Sequence, residues 1–209
     1  MPTRRRRVQD KWKMKKWYTI NSPPYFGGIN IGLTPASDPE GVLGRTVEVT
    51  LYDITGDPSQ MTMKLYFQVT KMKGNEADTI FKGHEYSNEY LKSLVRRRST
   101  RIDSRPKVTT KDGYTLRVSV VIFSVMRAKD AQKTSLRKVI NQIVEKKSKD
   151  LDFEQFVQEA VLGKIASDIY NLAKKIIPIR HIGVRKSKVI ACPSEEVEKE
   201  TVAIEAEAQ

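Results

Sequence analysis

The sequence has little of the chemistry that catalysis, metal binding and cross-linking require. Its 209 residues include one cysteine, Cys192, and two histidines, His84 and His181. A single cysteine excludes an internal disulfide and a cysteine-based zinc site, and the two histidines have no metal-ligand spacing. The sequence also lacks a phosphate-binding Gly-rich loop and a carboxylate pair of the kind found in two-metal nucleases. We therefore expect no catalytic residue, no metal and no cofactor.

Long apolar segments are missing as well. No run approaches the roughly 20 residues that a helix needs to cross a bilayer. The arginines near the N-terminus are followed by Asp10 and several lysines instead of the apolar core of a signal peptide. Together with the lone cysteine, these absences predict a cytoplasmic protein with no membrane partner.

What the sequence does contain is positive charge. The formal net charge is +13 and the isoelectric point is about 9.7. The charge is uneven, because residues 1–193 hold 37 basic and 19 acidic residues, while residues 194–209 hold six glutamates and one lysine. Lys and Arg gain affinity for polyanions by displacing counterions from phosphates, so RNA, DNA and acidic lipid are the candidate partners. Lipid ranks last, because the basic residues lie mostly outside the apolar helical segments.

Apolar periodicity predicts the elements of secondary structure. Residues 1–24 show neither a helix period nor a strand period, and residues 25–44 have the composition of a loop. Apolar residues at helical spacing predict a short helix after Ser87 and longer helices that begin near Thr134 and Asp152. Alternation with a period of two predicts strands at residues 45–51 and 61–69, and short extended segments predict strands at 79–85, 107–111 and 182–191. The long run at residues 114–126 is apolar on both faces, which predicts a strand in a central, buried position.

This order of elements predicts an α+β fold. We expect an extended basic arm at residues 1–24, a single globular domain at 25–193 and a mobile acidic tail at 194–209.

The basic arm is the first of three clusters that we predict to contact RNA. Its charges repel one another, so the arm is expected to become ordered only where phosphates neutralise it. Its two tryptophans are suited to stack on unpaired bases or to anchor the arm on protein. The alternatives are a solubilising tail and a nuclear address. The predicted RNA-binding residues are Arg4, Arg5, Arg6, Arg7, Lys11, Trp12, Lys13, Lys15, Lys16 and Trp17.

The other two clusters lie in the globular region. One follows the helix after Ser87, and the other lies on the last predicted strand, near Arg180. Guanidinium groups are suited to bidentate contacts with phosphates, although solvated surface charge is the simpler alternative. The predicted RNA-binding residues are Arg96, Arg97, Arg98, Arg101, Arg105 and Lys107 in the first cluster, and Arg185, Lys186 and Lys188 in the second.

The most specific motif lies between Leu43 and Ile54. There Gly44-Arg45 is followed by Glu48 and Asp53 at fixed offsets. This pattern resembles the signature of the archaeal and eukaryotic small-subunit ribosomal protein one family, formerly called S-three-a. The resemblance covers roughly residues 11–193, and further similar segments are residues 16–18, 109–117, 133–135 and 184–189.

The resemblance implies a fold, a location and partners. It implies an antiparallel β-barrel-like core with C-terminal helices, seated on the platform of the small ribosomal subunit near the rRNA 3′ end and the mRNA exit. The implied partners are small-subunit rRNA of the 16S type, other small-subunit proteins including ribosomal protein S-eleven, and mRNA near the exit. The brief acidic end after residue 193 favours an archaeal member. We expect the motif residues Arg45, Glu48 and Asp53 to serve the fold. Glu48 cannot bind phosphate directly, because its carboxylate is negatively charged.

We therefore predict a structural, non-enzymatic protein that binds rRNA. The alternative is an enzyme that processes or modifies RNA, which turnover by the purified protein would reveal.

Overall fold

The structure, a computed structural model, describes residues 12–193, and these form nine strands and five α-helices. The strands are β1 (Lys16–Asn21), β2 (Asn30–Ala36), β3 (Thr46–Thr50), β4 (Met63–Lys73), β5 (Glu76–Tyr86), β6 (Arg101–Ser104), β7 (Lys107–Thr109), β8 (Thr115–Ser124) and β9 (Ile179–Ala191). The helices are α1 (Leu51–Thr55), α2 (Asn88–Ser93), α3 (Asp130–Asp150), α4 (Phe153–Val161) and α5 (Lys164–Ala173).

The nine strands form one sheet. Its main path runs β2-β1-β5-β9-β8-β6, while β4 joins β3 to β5 and β7 pairs with β8. The strand β5 is the branch point, because it pairs with β4 along most of its length and with β1 and β9 at its two ends. The β1–β5 pair is parallel, and the other pairs of the described sheet are antiparallel.

One face of the sheet, which we call the inner face, is covered by α3, α4 and α5. Alternate residues of β8 point to this face, because successive side chains of a strand lie on opposite sides. They pack against apolar residues of the helices and have almost no exposed surface. Members of this core are Leu116, Val118, Val120, Ile122, Leu136, Ile140, Val144, Phe156, Ile165 and Ile169. Burial of this apolar surface is the main source of stability.

The opposite face, which we call the outer face, is covered only in part. Leu91 of α2 packs on Val121 and Phe123 near the end of β8. The earlier part of β8 presents Arg117 and Ser119 to this face, and neither is buried. A small helix therefore divides the outer face into an apolar, covered end and a polar, open end.

The strand β9 is longer than the partner along which it runs. It has 13 residues against 10 in β8, and the register between them shifts at three places. The shifts leave Arg180, Arg185 and Ile190 as extra residues of β9 with no residue opposite them on β8. Such bulges bend a strand and increase its twist.

Most of the predicted elements are confirmed. The predicted strand segments correspond to β3, β4, β5, β7, β8 and β9, and α3 begins a few residues before Thr134. The side chain of Ser87 accepts a hydrogen bond from the backbone of Tyr90 and caps α2, as expected. The central, buried position that the apolar run predicts for β8 is also confirmed.

Two strands were missed near the N-terminus. The prediction that residues 1–24 and 25–44 contain no strand is wrong, because β1 and β2 pair there. Tyr18 and Ile20 are buried in a small second core with Ala77 and Val69. Two apolar residues between basic neighbours are too few to show a strand period, and the partner that buries them is distant in sequence.

Two helical predictions were also wrong. The helix predicted from Asp152 is interrupted at Gly163, which has a φ of +86° and separates α4 from α5. A left-handed conformation favours glycine and cannot continue an α-helix. The short helix α1 was missed. It is held by a capping box, in which the side chains of Thr50 and Asp53 each accept a hydrogen bond from the backbone N–H of the other residue.

The sheet is not a closed barrel. Its strands run from β2 and β3 on one side to β6 and β7 on the other, with no pairing between those ends in the described part of the chain. The predicted α+β class with C-terminal helices is confirmed. The barrel-like core implied by the resemblance is an open sheet that is antiparallel except for one pair. Residues 1–11 of the predicted arm and the whole predicted tail (194–209) lie outside the described residues.

Candidate nucleic-acid interface

Three basic side chains lie in a line across the open end of the outer face. Lys107 of β7 is opposite Arg117 of β8, and Arg117 is opposite Lys188 of β9. Residues opposite each other on antiparallel strands point to the same face, with Cβ atoms about 5 Å apart. All three residues are exposed. We call this line the cationic row.

No carboxylate neutralises the cationic row within the described part of the chain. Like charges directly opposite one another destabilise a sheet, by up to about 1 kcal/mol per pair. The row therefore opposes folding unless an anion lies over it. A line of cations on adjacent strands, with a spacing of about 5 Å, matches the multiple negative charges of a phosphate backbone better than a single small anion.

The neighbouring residues on the same face have balanced charge. Lys186 is opposite Glu85 and lies 2.8 Å from its carboxylate, and Lys64 lies 2.6 Å from Glu48. The hydrogen bond and charge of Glu48 raise the pKa of Lys64. We call this set the paired row. Its lysines already have partners, so they are weaker candidates for phosphate than the cationic row.

A hollow of about 260 Å³ lies where the two rows meet. Its lining includes Tyr66, Lys82, Gly83 and Lys188. A side chain at Gly83 would come 2.4 Å from the backbone oxygen of Ser187, so glycine lets β5 approach β9 closely and leaves the space open. The Lys82 ammonium lies 3.2 Å from the Thr46 hydroxyl and has no carboxylate partner among residues 12–193. The hollow therefore combines an aromatic ring, two unneutralised cations and the ion pair of Lys186 with Glu85.

The arginine triplet lies at the other end of β8. Arg96, Arg97 and Arg98 are exposed in the turn that follows α2. The hydroxyl of Ser99 holds this turn by bonding to both the N–H and the carbonyl of Arg96. Thr100, which follows Ser99, forms hydrogen bonds with Ser124. Ser124 is seven residues beyond Arg117 on β8. At about 3.3 Å per residue, the triplet and the cationic row are about 23 Å apart along the strand.

The remaining predicted residues of these two clusters are placed less favourably. Arg101 is held by Asp103, with 3.0 Å between guanidinium and carboxylate oxygen, whereas Arg105 is exposed between β6 and β7. Arg185 is an extra residue of β9, and its Nε is buried with no hydrogen-bond partner in the described part of the chain. Lys186 belongs to the paired row. From the two clusters, the structure therefore brings together only Lys107 and Lys188, one on each side of Arg117, and the other predicted residues in the described part of the chain lie outside the cationic row.

The described part of the basic arm begins at Trp12. The Lys15 ammonium lies 4.4 Å from the centre of the Trp12 ring, and Lys13 is exposed. Lys16 and Trp17 begin β1, where Trp17 is opposite Pro35 of β2 and is 56% exposed. An exposed indole on a rigid strand is available for stacking. The predicted residues Arg4, Arg5, Arg6, Arg7 and Lys11 lie outside the described residues.

The residues expected to serve the fold do so. The Arg45 guanidinium donates to the Gly41 carbonyl at 2.7 Å and to the Thr34 hydroxyl at 2.8 Å, which ties β2 to the start of β3. Asp53 caps α1, and Glu48 holds Lys64. The motif at residues 43–54 therefore builds a corner of the fold.

Both histidines are placed within the fold. His84 is fully buried on the inner face, where Nε2 lies 3.0 Å from the Val184 carbonyl and Nδ1 lies 2.7 Å from the Ser187 hydroxyl. Burial lowers the pKa of His84 to about 4, so the ring is neutral at physiological pH. His181 is half-buried against Tyr90 and Phe123, and burial lowers its pKa as well.

The described residues contain neither a metal-ligand cluster nor a membrane-spanning helix. Among residues 12–193, no three His, Cys, Asp or Glu side chains are grouped so that they could hold a metal ion. No helix in that range is long and apolar enough to span a bilayer.

Two residues of the site were missed by sequence reasoning. Arg117 occupies a polar position of an apolar run, and the turn at residues 111–113 fixes the register that sets it opposite Lys107. That register was a usable signal. Lys82 sits at an irregularity between β4 and β5, and its neighbours in sequence carry no sign of it.

An open sheet with helices on one face and unneutralised cations on the other defines a basic α+β protein whose outer face carries exposed positive charge. Comparison with known proteins identifies the particular family. The model of the Ribosomal S3Ae family matches residues 3–193, and the chain belongs to this family.

Several relatives bear the name small ribosomal subunit protein eS1. The protein from Desulfurococcus amylolyticus is 48% identical over 197 residues, which cover 94% of this chain and 92% of the relative. The protein from Staphylothermus marinus is 46% identical and covers 98% of this chain and 97% of the relative. That from Saccharolobus solfataricus is 47% identical over 89% of each chain. These relatives come from archaea, as the sequence resemblance implied.

Proposed function

We propose that the protein is a structural constituent of the small ribosomal subunit and that its cationic row binds the rRNA backbone. The first part follows from the family and from the shared name of relatives that align with nearly the whole chain. Such a constituent works in the cytoplasm, in contact with rRNA and neighbouring ribosomal proteins. Because the relatives are named as ribosomal proteins, the RNA-processing enzyme considered from the sequence is set aside.

The observation that carries the second part is the unneutralised charge of Lys107, Arg117 and Lys188. A sheet gains nothing from three cations in line, whereas rRNA phosphates over them convert the repulsion into attraction. Contacts of this kind set position and are insensitive to base sequence. The hollow beside the row, with Tyr66 and Lys82, is suited to hold an unpaired base.

The finer location is also a proposal. The platform of the small subunit, near the rRNA 3′ end and the mRNA exit, is what the family resemblance implies, with ribosomal protein S-eleven and mRNA as neighbours. The exposed Trp17 and the basic residues before it would then form a second contact with rRNA, and Arg96, Arg97 and Arg98 a third.

The test compares two variants with the same change in net charge. One replaces Lys107, Arg117 and Lys188 by glutamine, and the other replaces Lys138, Lys146 and Lys149, which are exposed on α3. We expect the first to lower affinity for small-subunit rRNA by tenfold or more, with about three units less salt dependence on a log–log plot. The α3 variant should show a small change in affinity.

Equal behaviour of the two variants would contradict the proposal, since it would mean that only net charge matters. Replacing Arg96, Arg97 and Arg98 by glutamine in the same assay tests the third contact. A slope that is unchanged there would assign the triplet to solvent.

A further inference from the structure

The cationic row lies close to the point where a strongly acidic segment leaves the described fold. Ala191 of β9 is opposite Thr115, which is two residues from Arg117 on β8. Pro193 lies beside Gly113 in the turn between β7 and β8, at 3.6 Å from the Cβ position of that glycine. The described chain therefore ends beside the turn of the hairpin that carries Lys107 and Arg117.

The composition of residues 194–209 is complementary to the row. This segment holds Glu195, Glu196, Glu198 and Glu200 within its first seven positions, two more glutamates beyond them, and Lys199 as its single cation. Its net charge of −5 contrasts with the +18 of residues 1–193.

The length of the segment is sufficient for contact. Thr115 and Arg117 are about 7 Å apart along β8, at about 3.4 Å per residue. The four glutamates are two to seven residues beyond Pro193 and can reach about 7 to 25 Å from it, at about 3.5 Å per residue. A tethered partner acts at a millimolar effective concentration, so weak individual ion pairs are enough to occupy the row.

We propose that residues 194–209 dock on the cationic row of the protein when it is free of RNA, as an intramolecular polyanion that RNA displaces. Docking relieves the repulsion among Lys107, Arg117 and Lys188. It also prevents other polyanions from binding the row, unless they make enough phosphate contacts to displace the segment. The displacement by RNA rests on the proposed function, whereas the docking itself does not.

The first experiment needs no RNA. A zero-length carbodiimide cross-linker joins carboxylates to lysine amines in direct contact, and mass spectrometry of the full-length protein locates the products. We expect glutamates of residues 194–209 to join Lys107 and Lys188 several times more often than Lys138, Lys146 and Lys149 on α3. Salt at 0.5 M should remove the preference, because it screens exposed charges. Cross-links spread evenly over all five lysines would overturn the proposal.

The second experiment measures coupling between the segment and the row. Replacing the six glutamates of residues 194–209 by glutamine should raise affinity for a non-ribosomal RNA by about threefold to tenfold at low salt. The gain should disappear when Lys107, Arg117 and Lys188 are already glutamine. The same gain in both backgrounds would show a long-range effect of net charge and overturn docking.

The two experiments separate this proposal from the proposed function. If the row does not bind RNA, its substitution leaves RNA affinity unchanged while the cross-links to Lys107 and Lys188 persist. If docking is wrong, the cross-links lose their preference while the row still binds RNA.

Discussion

Across β8 and β9, the inner face presents Val118, Val120 and Ile122 to the helices, whereas the outer face presents Arg117 and, opposite it, Lys188. The same two strands carry both sets, separated only by the alternation of side chains. On the inner face even the polar groups of His84 have partners. On the outer face, the three cations of the cationic row have no carboxylate partner among the described residues. The packing of the inner face stabilises the fold, whereas the repulsion within the cationic row on the outer face lowers stability.

The difference distinguishes residues kept for the fold from residues kept for a ligand. A buried apolar side chain is explained by the stability that it contributes. A cation opposite two other cations has no such explanation among the described residues, and we propose that an anionic partner supplies it. Substitutions on the inner face should therefore lower the free energy of unfolding, whereas neutralising a cation of the cationic row should raise it.

The largest effect on stability is expected from Phe81 on the inner face. This side chain is 1% exposed and packs against Phe67 and Phe26. The change Phe81→Ala should lower the free energy of unfolding by about 3 to 5 kcal/mol, because it removes apolar contacts and leaves a cavity. Urea denaturation followed by circular dichroism measures this. A loss below about 1 kcal/mol would mean that the inner face is not the core.

The pH dependence of stability gives a second test of the inner face. The pKa of His84 is lowered to about 4, so the unfolded chain binds a proton more readily between about pH 6.5 and pH 4. Above that window the ring is neutral in both states and the free energy of unfolding is unaffected. As the pH falls through the window, proton uptake by the unfolded chain lowers the free energy of unfolding, by about 3 kcal/mol at pH 4.

The control for this test is His84→Gln, which cannot take up the proton. The wild-type protein should lose about 3 kcal/mol more than this variant between pH 7 and pH 4, as followed by urea denaturation at each pH. Parallel curves would show that His84 titrates alike in the folded and unfolded states.

The smallest effect, and the one of opposite sign, is expected on the outer face. The change Arg117→Gln should raise the free energy of unfolding by a few tenths of a kcal/mol to about 1 kcal/mol in low salt without RNA. Thermal melts in low and high salt measure this, and salt should shrink the gain. Lys138→Gln on α3 is the matched control. A clear destabilisation by Arg117→Gln would show that this side chain supports the fold.

Local patterns in the sequence were enough to place most of the strands and α2. The alternation in β3 and β4 reflects burial of one face, and the apolar run of β8 reflects burial of both, so the order of residues within each segment reveals these strands. The strand β1 could not be found in that way, since its buried residues Tyr18 and Ile20 gain their environment from β5, more than 50 residues away. Helix α5 was merged with α4, because the apolar period continues through Gly163 while the backbone does not.

The candidate site was predicted in part for a similar reason. Lys107 and Lys188 were selected as members of local charge clusters, and such clusters do not show which members meet. The register of β7, β8 and β9 joined these two through Arg117 and left Lys186 to Glu85. Charge composition predicted that a polyanion binds, and only the pairing of distant strands indicated where.

The bulges of β9 have a geometric consequence for the whole sheet. Thirteen residues run beside ten, so one edge of the ribbon is about 10 Å longer than the other, at about 3.3 Å for each of the three extra residues. Two strips of unequal length that are joined along their edges must coil. The bulges at Arg180, Arg185 and Ile190 therefore curve the described sheet although it is not closed into a barrel.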